Sequence, residues 1–403
     1  MTEAARCQVC ASEALTPFLD VGRHPFSTGL LAKPDDLVQT FPLAMLECRD
    51  CGLLQLREPA SAESVRPFFD WVTFREPEQH LDEVAAQLLK LDGLAGRSDV
   101  RVLGVTSKDD TLLDRLRRGG WTGCARLDLR QDLGVTAPLA NVESVPEALT
   151  PKVSAAIAGR QGAFDLVIAR HMYEHAQDLG RFTQGLAALV KDGGYLLLEV
   201  PDCTRSLEVC DYSMIWEEHS VYFTPATFFP ALQRYGFTAA KTAVYPYPYE
   251  NCLVLVARKA AAKEATSLPR NDCTSAERYA AQFTPLTEAL QASLSAEAAK
   301  GPLALYGAGH LTAAFVNYHG LAQFFSALVD DTPQKQGLYL PGLDIPIEKP
   351  AVMVERGVRL CLLGLAPEVE PKVIARNEAY VQAGGRFASL LAASASSWRK
   401  QAL

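Results

Sequence analysis

Two short cysteine hooks, Cys7-Gln-Val-Cys10 and Cys48-Arg-Asp-Cys51, lie about 37 residues apart at the start of the chain. Thiolates two residues apart can face one ion, and two such pairs supply the tetrahedral sulfur set of a zinc site. Each hook is followed by a small residue, Ala11 or Gly52. Residues 1–60 therefore read as a metal-stabilised module with too little apolar core to fold alone. A closed set of four cysteines leaves no open coordination position, so Cys7, Cys10, Cys48 and Cys51 hold a structural Zn²⁺. The chemistry must come from the rest of the chain.

That remainder is large. At 403 residues, 48% hydrophobic and 21% charged, the chain has material for two or three domains. A net charge of −8 gives no footing for nucleic acid or a polybasic membrane surface, so the expected partner is a small molecule. The other cysteines, Cys124, Cys203, Cys210, Cys252, Cys273 and Cys361, are scattered through mostly apolar runs, as free thiols in a reducing compartment would be. No apolar signal-peptide core or 18-residue apolar run is present, so a cytoplasmic protein is expected.

Beyond a mixed stretch holding Trp71, Phe74 and Arg75, apolar residues at Leu81, Val84, Leu88 and Leu91 have helical spacing, predicting a helix over 80–94. From residue 100, short apolar strands (101–105, 123–129, 165–170, 195–200) alternate with helical segments (110–118, 179–190), the latter stopping at Lys191-Asp-Gly-Gly194. Such alternation implies a parallel sheet with right-handed crossovers. Two β-rich runs, 239–247 and 251–258, follow as an antiparallel pair, the arrangement of the methyltransferase variant of the Rossmann fold. An Ala/Lys/Ser-rich boundary over 260–270 leads to a long helix, 274–300, and a second α/β unit with strands at 303–306, 325–329, 359–363 and 386–390. The fold class is α/β: a small Cys₄ module (1–60), a central Rossmann-like domain with a helical lead-in (61–260) and a C-terminal Rossmann-like domain (271–403).

Two polar clusters fall beyond strand ends, where α/β sheets place ligands. Arg170-His171-Met-Tyr-Glu174-His175 follows the strand 165–170; if helical, it sets His171 and His175 one turn apart. Trp216-Glu217-Glu218-His219, with Tyr222 three residues on, precedes the helix opened by Pro225. Histidine beside a carboxylate suits proton transfer near neutral pH. His171 and His175 with Glu217, Glu218 or His219 could in principle supply a two-histidine, one-carboxylate metal site, but no helical metal-binding spacing accompanies them. In the last unit, Tyr306-Gly-Ala-Gly309-His310 is a strand–turn–helix without the third glycine of a dinucleotide fingerprint. Asp330 lies near the expected distance for such a site, and the loop at Lys335 could meet a phosphate.

With these residues in view, the chain resembles the zinc-containing sugar C-methyltransferases of deoxysugar biosynthesis, which methylate a ring carbon of a nucleotide-linked keto-sugar. The resemblance spans nearly the whole chain. It rests on Cys48-Arg-Asp-Cys51-Gly-Leu-Leu-Gln55, Ala169-Arg-His-Met-Tyr-Glu-His175, Glu218-His219 with Tyr222-Phe-Thr, Tyr306-Gly-Ala-Gly, Val316-Asn317-Tyr318, Asp330, Lys335-Gln-Gly337 and Pro341-Gly342. It implies S-adenosylmethionine as methyl donor and His219 as the base that generates a sugar enolate. Glu218 would orient that base, and His175 would help hold the ketone oxygen. Glu217, His171 and Tyr222 complete the implied catalytic set; Ser107, Asp109, Asp128 and Arg170 are the implied cofactor contacts.

The departures are local. Where the family has Glu-x-Gly-x-Asn-Asp-Gly, this chain reads Gly104-Val-Thr106-Ser-Lys108-Asp109-Asp110. Both turn glycines carry side chains here, and a lysine stands near where a sulfonium would lie. The family's Tyr-His-Glu-His reads Trp216-Glu217-Glu218-His219, and its asparagine ahead of the second histidine is His171. Three readings follow from the residues: a methyltransferase with an altered donor loop, an enzyme that enolises, epimerises or rearranges a sugar without the donor and uses Glu217 as a second acid/base, and a non-catalytic scaffold.

Overall fold

The computed structural model describes residues 5–70, 76–140, 142–260 and 274–402; Trp71, Phe74, Arg75, Cys273 and nearly all of the 260–270 boundary lie outside the described residues. Near the N-terminus, β1 (Leu15–Pro25), β2 (Thr40–Cys48) and β3 (Leu54–Leu56) form an antiparallel meander. The sequence shows little periodicity there. Register shifts in β1 between Pro17 and Leu19 and between Asp20 and Arg23 break the alternation that would announce a strand.

The central domain carries β4 (Arg101–Gly104), β5 (Gly123–Arg126), β6 (Phe164–Arg170) and β7 (Val190–Asp202), all parallel. After the two-residue β8 (Val221–Tyr222) come β9 (Phe237–Tyr245) and β10 (Asn251–Lys259), antiparallel to one another, with β10 antiparallel to β7. The resulting order, β5-β4-β6-β7-β10-β9, is that of the expected methyltransferase sheet with its antiparallel edge. Helix Asp110–Arg118 buries Leu112, Leu113 and Leu116, three and four residues apart, against this sheet. Helix Leu179–Leu189 starts where the Asp178 carboxylate accepts the Arg181 N–H and buries Phe182, Leu186 and Leu189. The helix predicted over 80–94 is shorter, Leu81–Leu88. Turns containing the left-handed Gly93 and Gly96 follow it, yet Leu91 is buried as its spacing implies.

The C-terminal domain is a five-stranded parallel sheet, ordered β13-β12-β11-β14-β15: β11 (Leu303–Tyr306), β12 (Ala327–Val329), β13 (Ile347–Glu348), β14 (Leu360–Leu363) and β15 (Arg386–Ser389). The long helix Thr274–Ala298 leads into it.

One strand ties the domains together. β8 belongs by sequence to the central domain but pairs with β3, placing Tyr222 opposite Leu54. The loop that precedes β8 is thereby pinned between the zinc module and the carboxyl ends of β6 and β7. No helix of the described residues is long and apolar enough to cross a membrane.

Candidate active site

The cysteine hooks converge. The four sulfurs lie within 4.8 Å of one another, with Cys7–Cys51 and Cys10–Cys48 Sγ separations of 3.5 Å. A zinc–sulfur bond of about 2.3 Å sets tetrahedral sulfurs about 3.8 Å apart, so the set fits the ion. Ala11 and Gly52 both take left-handed backbone, φ 59° and 77°, and each N–H returns to the carbonyl of the first cysteine of its hook. Without a cation the sulfurs cannot all ionise. Hydrogen bonding with neighbouring thiols pushes Cys7 and Cys51 up while holding Cys48 down. Outside this site the described cysteines are free thiols.

Beyond the ends of β4 and β5 lies a cavity of about 440 Å³, lined among others by Thr106, Ser107, Asp128, Leu129, Thr136 and Leu139. That volume accepts a nucleoside-sized ligand. Asp128 Oδ1 accepts the N–H groups of Arg130 and Gln131 and so sits shaped at the rim. The altered donor loop needs no glycine. Thr106 is extended and Asp110 is helical, flanking a 3₁₀ turn over Ser107–Asp109. Gly104 is explained by its neighbour, since a Cβ there would approach the Asp109 Cβ at 2.9 Å and Leu113 at 2.8 Å. Lys108 reaches back to the Glu76 carboxylate, which neutralises the charge the sequence places near a sulfonium.

Two expected cofactor contacts face elsewhere. Asp109 is buried, and its carboxylate accepts the main-chain N–H of Val105 (2.7 Å), Thr106 (2.9 Å) and Arg170 (3.0 Å); burial pushes it up to about 7 against those bonds. It therefore shapes the turn. Arg170 is also buried, donating to both Glu199 oxygens at 2.8 and 3.3 Å and to the Lys108 carbonyl. Burial alone would push Glu199 up, but Arg170, His171 and His80 together hold it well below the usual carboxylate range. Of the four expected contacts, Ser107 and Asp128 line the cavity.

The histidines do not share a helix face. His171 takes a left-handed φ of 48° directly after β6, a conformation costly for most side chains but easier for histidine and for the family's asparagine. Its Nε2 meets Glu199 at 2.9 Å; despite burial, Cys252 and Glu199 raise the ring well above its ordinary value. His171 thus joins the Arg170–Glu199 network. His175 ends a 3₁₀ turn, Tyr173–His175, and points the other way, its ring 4.7 Å from that of His219 and edge-on to it. Ser220 stitches the two segments together by donating its N–H and hydroxyl to the Glu174 carbonyl.

Around His219 the environment is apolar and aromatic, with ring centroids of Trp216 at 4.9 Å and Tyr222 at 6.1 Å. Burial, then nearby His175 and His310, hold His219 well below its ordinary value, leaving it neutral with a lone pair available. Burial brings His175 down to about 4, although a hydrogen bond to the main chain of Glu218 favours its protonated ring. Burial pushes Glu174 up to about 7.

The expected helpers of His219 are engaged elsewhere. Glu217 Oε1 accepts both the N–H and the hydroxyl of Ser27 at 2.7 Å, anchoring the loop to the zinc module. The Glu218 side chain hydrogen-bonds Thr28, and burial with Glu217 and Glu143 nearby raises it well above the carboxylate range. The Tyr222 hydroxyl brackets the Trp216 main chain, accepting its N–H at 3.0 Å and donating to its carbonyl at 3.1 Å.

The C-terminal domain closes the site with a residue that carried no assigned role. His310 stacks on Trp216 at 4.5 Å and bonds the Ser213 carbonyl and the Ser27 hydroxyl. Its position after Gly309, at a helix start, was the available signal. The glycine turn itself is closed to a dinucleotide: Asp330 accepts the Ala308 N–H, and Lys335 bonds both Asp330 and the Ala308 carbonyl instead of facing a phosphate. Ser27, Thr28, Glu76, His80 and Glu199 had no sequence signal, since each acquires its role from a partner remote in the chain.

Comparison with known proteins matches three models in series: a domain described as zinc binding over residues 7–65, a methyltransferase domain over 78–242 and a C-methyltransferase C-terminal domain over 256–391. The C-methyltransferase NovU of Streptomyces niveus is 26% identical over 399 residues, 94% of each chain. Among solved structures, magnesium protoporphyrin IX methyltransferase from Synechocystis PCC 6803 with bound SAH is 15% identical, covering 47% of this chain and 91% of that one at a TM-score of 0.32. A 1,6-didemethyltoxoflavin-N1-methyltransferase from Burkholderia thailandensis is 17% identical, covering 45% and 79% at 0.30. The zinc-binding, methyltransferase and C-methyltransferase C-terminal models thus follow one another along the chain, with four converged thiols in the first, and the chain as a whole is similar to a C-methyltransferase.

Proposed function

We propose that the protein methylates a carbon next to the ketone of a keto-sugar, carried on a nucleotide, through an enolate formed by His219. The observation that carries this reading is the half-buried His219 ring set edge-on to His175 and beside Glu174, beyond the strand ends. S-adenosylmethionine, bound in the cavity beyond the ends of β4 and β5, supplies the methyl group. His219 takes the proton from the carbon next to the carbonyl. An enolate gaining negative charge in a low-dielectric pocket makes the adjacent base a stronger acceptor, which offsets the depression caused by burial.

The ketone oxygen needs a hydrogen-bond donor as charge develops on it. His175, edge-on to His219, positions that ring rather than donating to the ketone. We assign the donor role to the Glu174 carboxyl, whose Oε2 has no hydrogen-bond partner among the described residues and which is half protonated near neutral pH. A carboxylic acid kept neutral by an apolar site donates well to an oxyanion. Glu217 and Glu218 hold the loop on Ser27 and Thr28 and take no part in proton transfer.

The test uses zinc-loaded protein, methyl-labelled S-adenosylmethionine and a panel of nucleotide-linked keto-deoxysugars. The expected product gains one methyl at carbon. In D₂O without donor, wild type should exchange the proton next to the ketone and His219→Ala should not. Exchange without methyl transfer would favour an enolising enzyme, and exchange surviving in His219→Ala would remove His219 as base.

A further inference from the structure

We propose that Glu174, His175 and His219 form a second metal site, for a divalent transition-metal ion, separate from the four cysteines. One ligand atom from each lies within 4.8 Å of the others. Two imidazoles and a carboxylate are a donor set that suits zinc, iron, cobalt or nickel, and three protein ligands leave positions open.

Two independent observations point to a ligand. Glu174 is 2% exposed and its Oε2 has no hydrogen-bond partner among the described residues; His175 is 7% exposed and among the same residues its Nδ1 has none. A buried polar atom left without a partner is destabilising, so two on adjacent residues, beside a third lone pair, point to a missing partner. The supports around Glu174 are those of a ligating carboxylate. The Glu174 main chain is fixed by Ser220, and Glu174 Oε1 faces His171 Nδ1 at 3.9 Å, leaving Oε2 for the ion.

A neighbouring group, His80, Glu199 and Cys252, is equally close-set but does not qualify. Glu199 is already shared by Arg170 and His171, and a metal there would meet the guanidinium.

Metal binding and enolate formation exclude one another. An ion takes the lone pair of His219 and displaces the proton of Glu174, so occupancy silences methyl transfer reversibly. This second step rests on His219 being the base; the site itself rests on geometry alone.

The experiment titrates Co²⁺ into protein whose cysteines hold zinc, following the visible absorption of cobalt and metal content after desalting. A second equivalent with a nitrogen–oxygen spectrum and no thiolate band is expected in wild type. It should disappear in His175→Ala and weaken by about tenfold or more in Glu174→Gln, with S-adenosylhomocysteine binding unchanged as the control for folding. Methyl transfer should fall on cobalt addition and return with chelator. A wild type that stops at one metal per chain with cobalt, nickel and zinc overturns the site, as does a second equivalent that persists in both variants. Stoichiometric binding that leaves methyl transfer intact supports the site and removes His219 as base.

Discussion

Replacing Arg170 by methionine isolates the buried charge network that supports the turn over Ser107–Asp109. The substitution keeps the stem volume and removes the guanidinium that donates to both Glu199 oxygens and to the Lys108 carbonyl. Glu199 would be left fully buried with the two rings of His171 and His80. Stripping one partner from a buried pair costs about 3–5 kcal/mol. The chain can escape by protonating Glu199; at pH 7 that costs about 4 kcal/mol, from a reference pKa of about 4.3 and about 1.4 kcal/mol per unit. Both routes give a loss of about 4 kcal/mol at pH 7.

The pH dependence gives the sharper test. In wild type the Glu199 pKa is depressed, so its stabilisation is present above the unfolded value and is lost as pH falls. In Arg170→Met, burial is expected to outweigh the remaining His171 and His80 contacts and raise the folded pKa above the unfolded one, so that stability declines as pH rises. The difference between the two proteins should therefore shrink to about 1 kcal/mol near pH 5. Native-state hydrogen exchange of peptides covering β6 and β7 in rising urea reads this domain apart from the others. Arg170→Met/Glu199→Gln should recover much of the loss at pH 7 and little at pH 5. A loss that does not change between pH 5 and 7, or one below about 1 kcal/mol at pH 7, would refute the assignment of Glu199 as a charge held by Arg170.

Glu174, pushed up to about 7, is protonated below that pH, so kcat/KM should fall above about pH 7. Glu174→Gln, an uncharged donor, should retain turnover and flatten that alkaline limb; an unchanged limb in the variant would place the titrating group elsewhere. Gly185→Ala sets helix propensity against packing: alanine favours the helix by about 1 kcal/mol, but the added Cβ would lie 2.1 Å from the Leu149 carbonyl oxygen. The backbone contact should win and lower stability by about 1–3 kcal/mol; thermal denaturation showing a gain would contradict it. Cys48→Ser should release zinc and loosen the β1–β3 sheet, and through the β3–β8 pair should raise hydrogen exchange over 216–222 and abolish methyl transfer. Zinc loss with unaltered exchange in that loop would break the link between module and site.

Much of the architecture was legible in the chain because its cues are local. The two cysteine hooks announce their metal, helix Asp110–Arg118 matches its predicted span, and β11 falls on Leu303–Tyr306 as its apolar run predicts. His175 and His219 could be nominated, since each follows or precedes a strand end where ligands gather. Their company could not. Periodicity says which face of an element is buried but not which distant side chain it meets. Glu217 meets Ser27 across 190 residues, and His310 reaches Ser27 across 283. Asp109 reads as a cofactor contact until the ends of β4 and β6 bring three N–H groups to its carboxylate. Sequence alone determined the metal module, the layered α/β plan and the residues able to move a proton. Tertiary structure decided which of them point into the pocket, because burial and the claims of remote hydrogen-bond partners set the charge and direction of every side chain there.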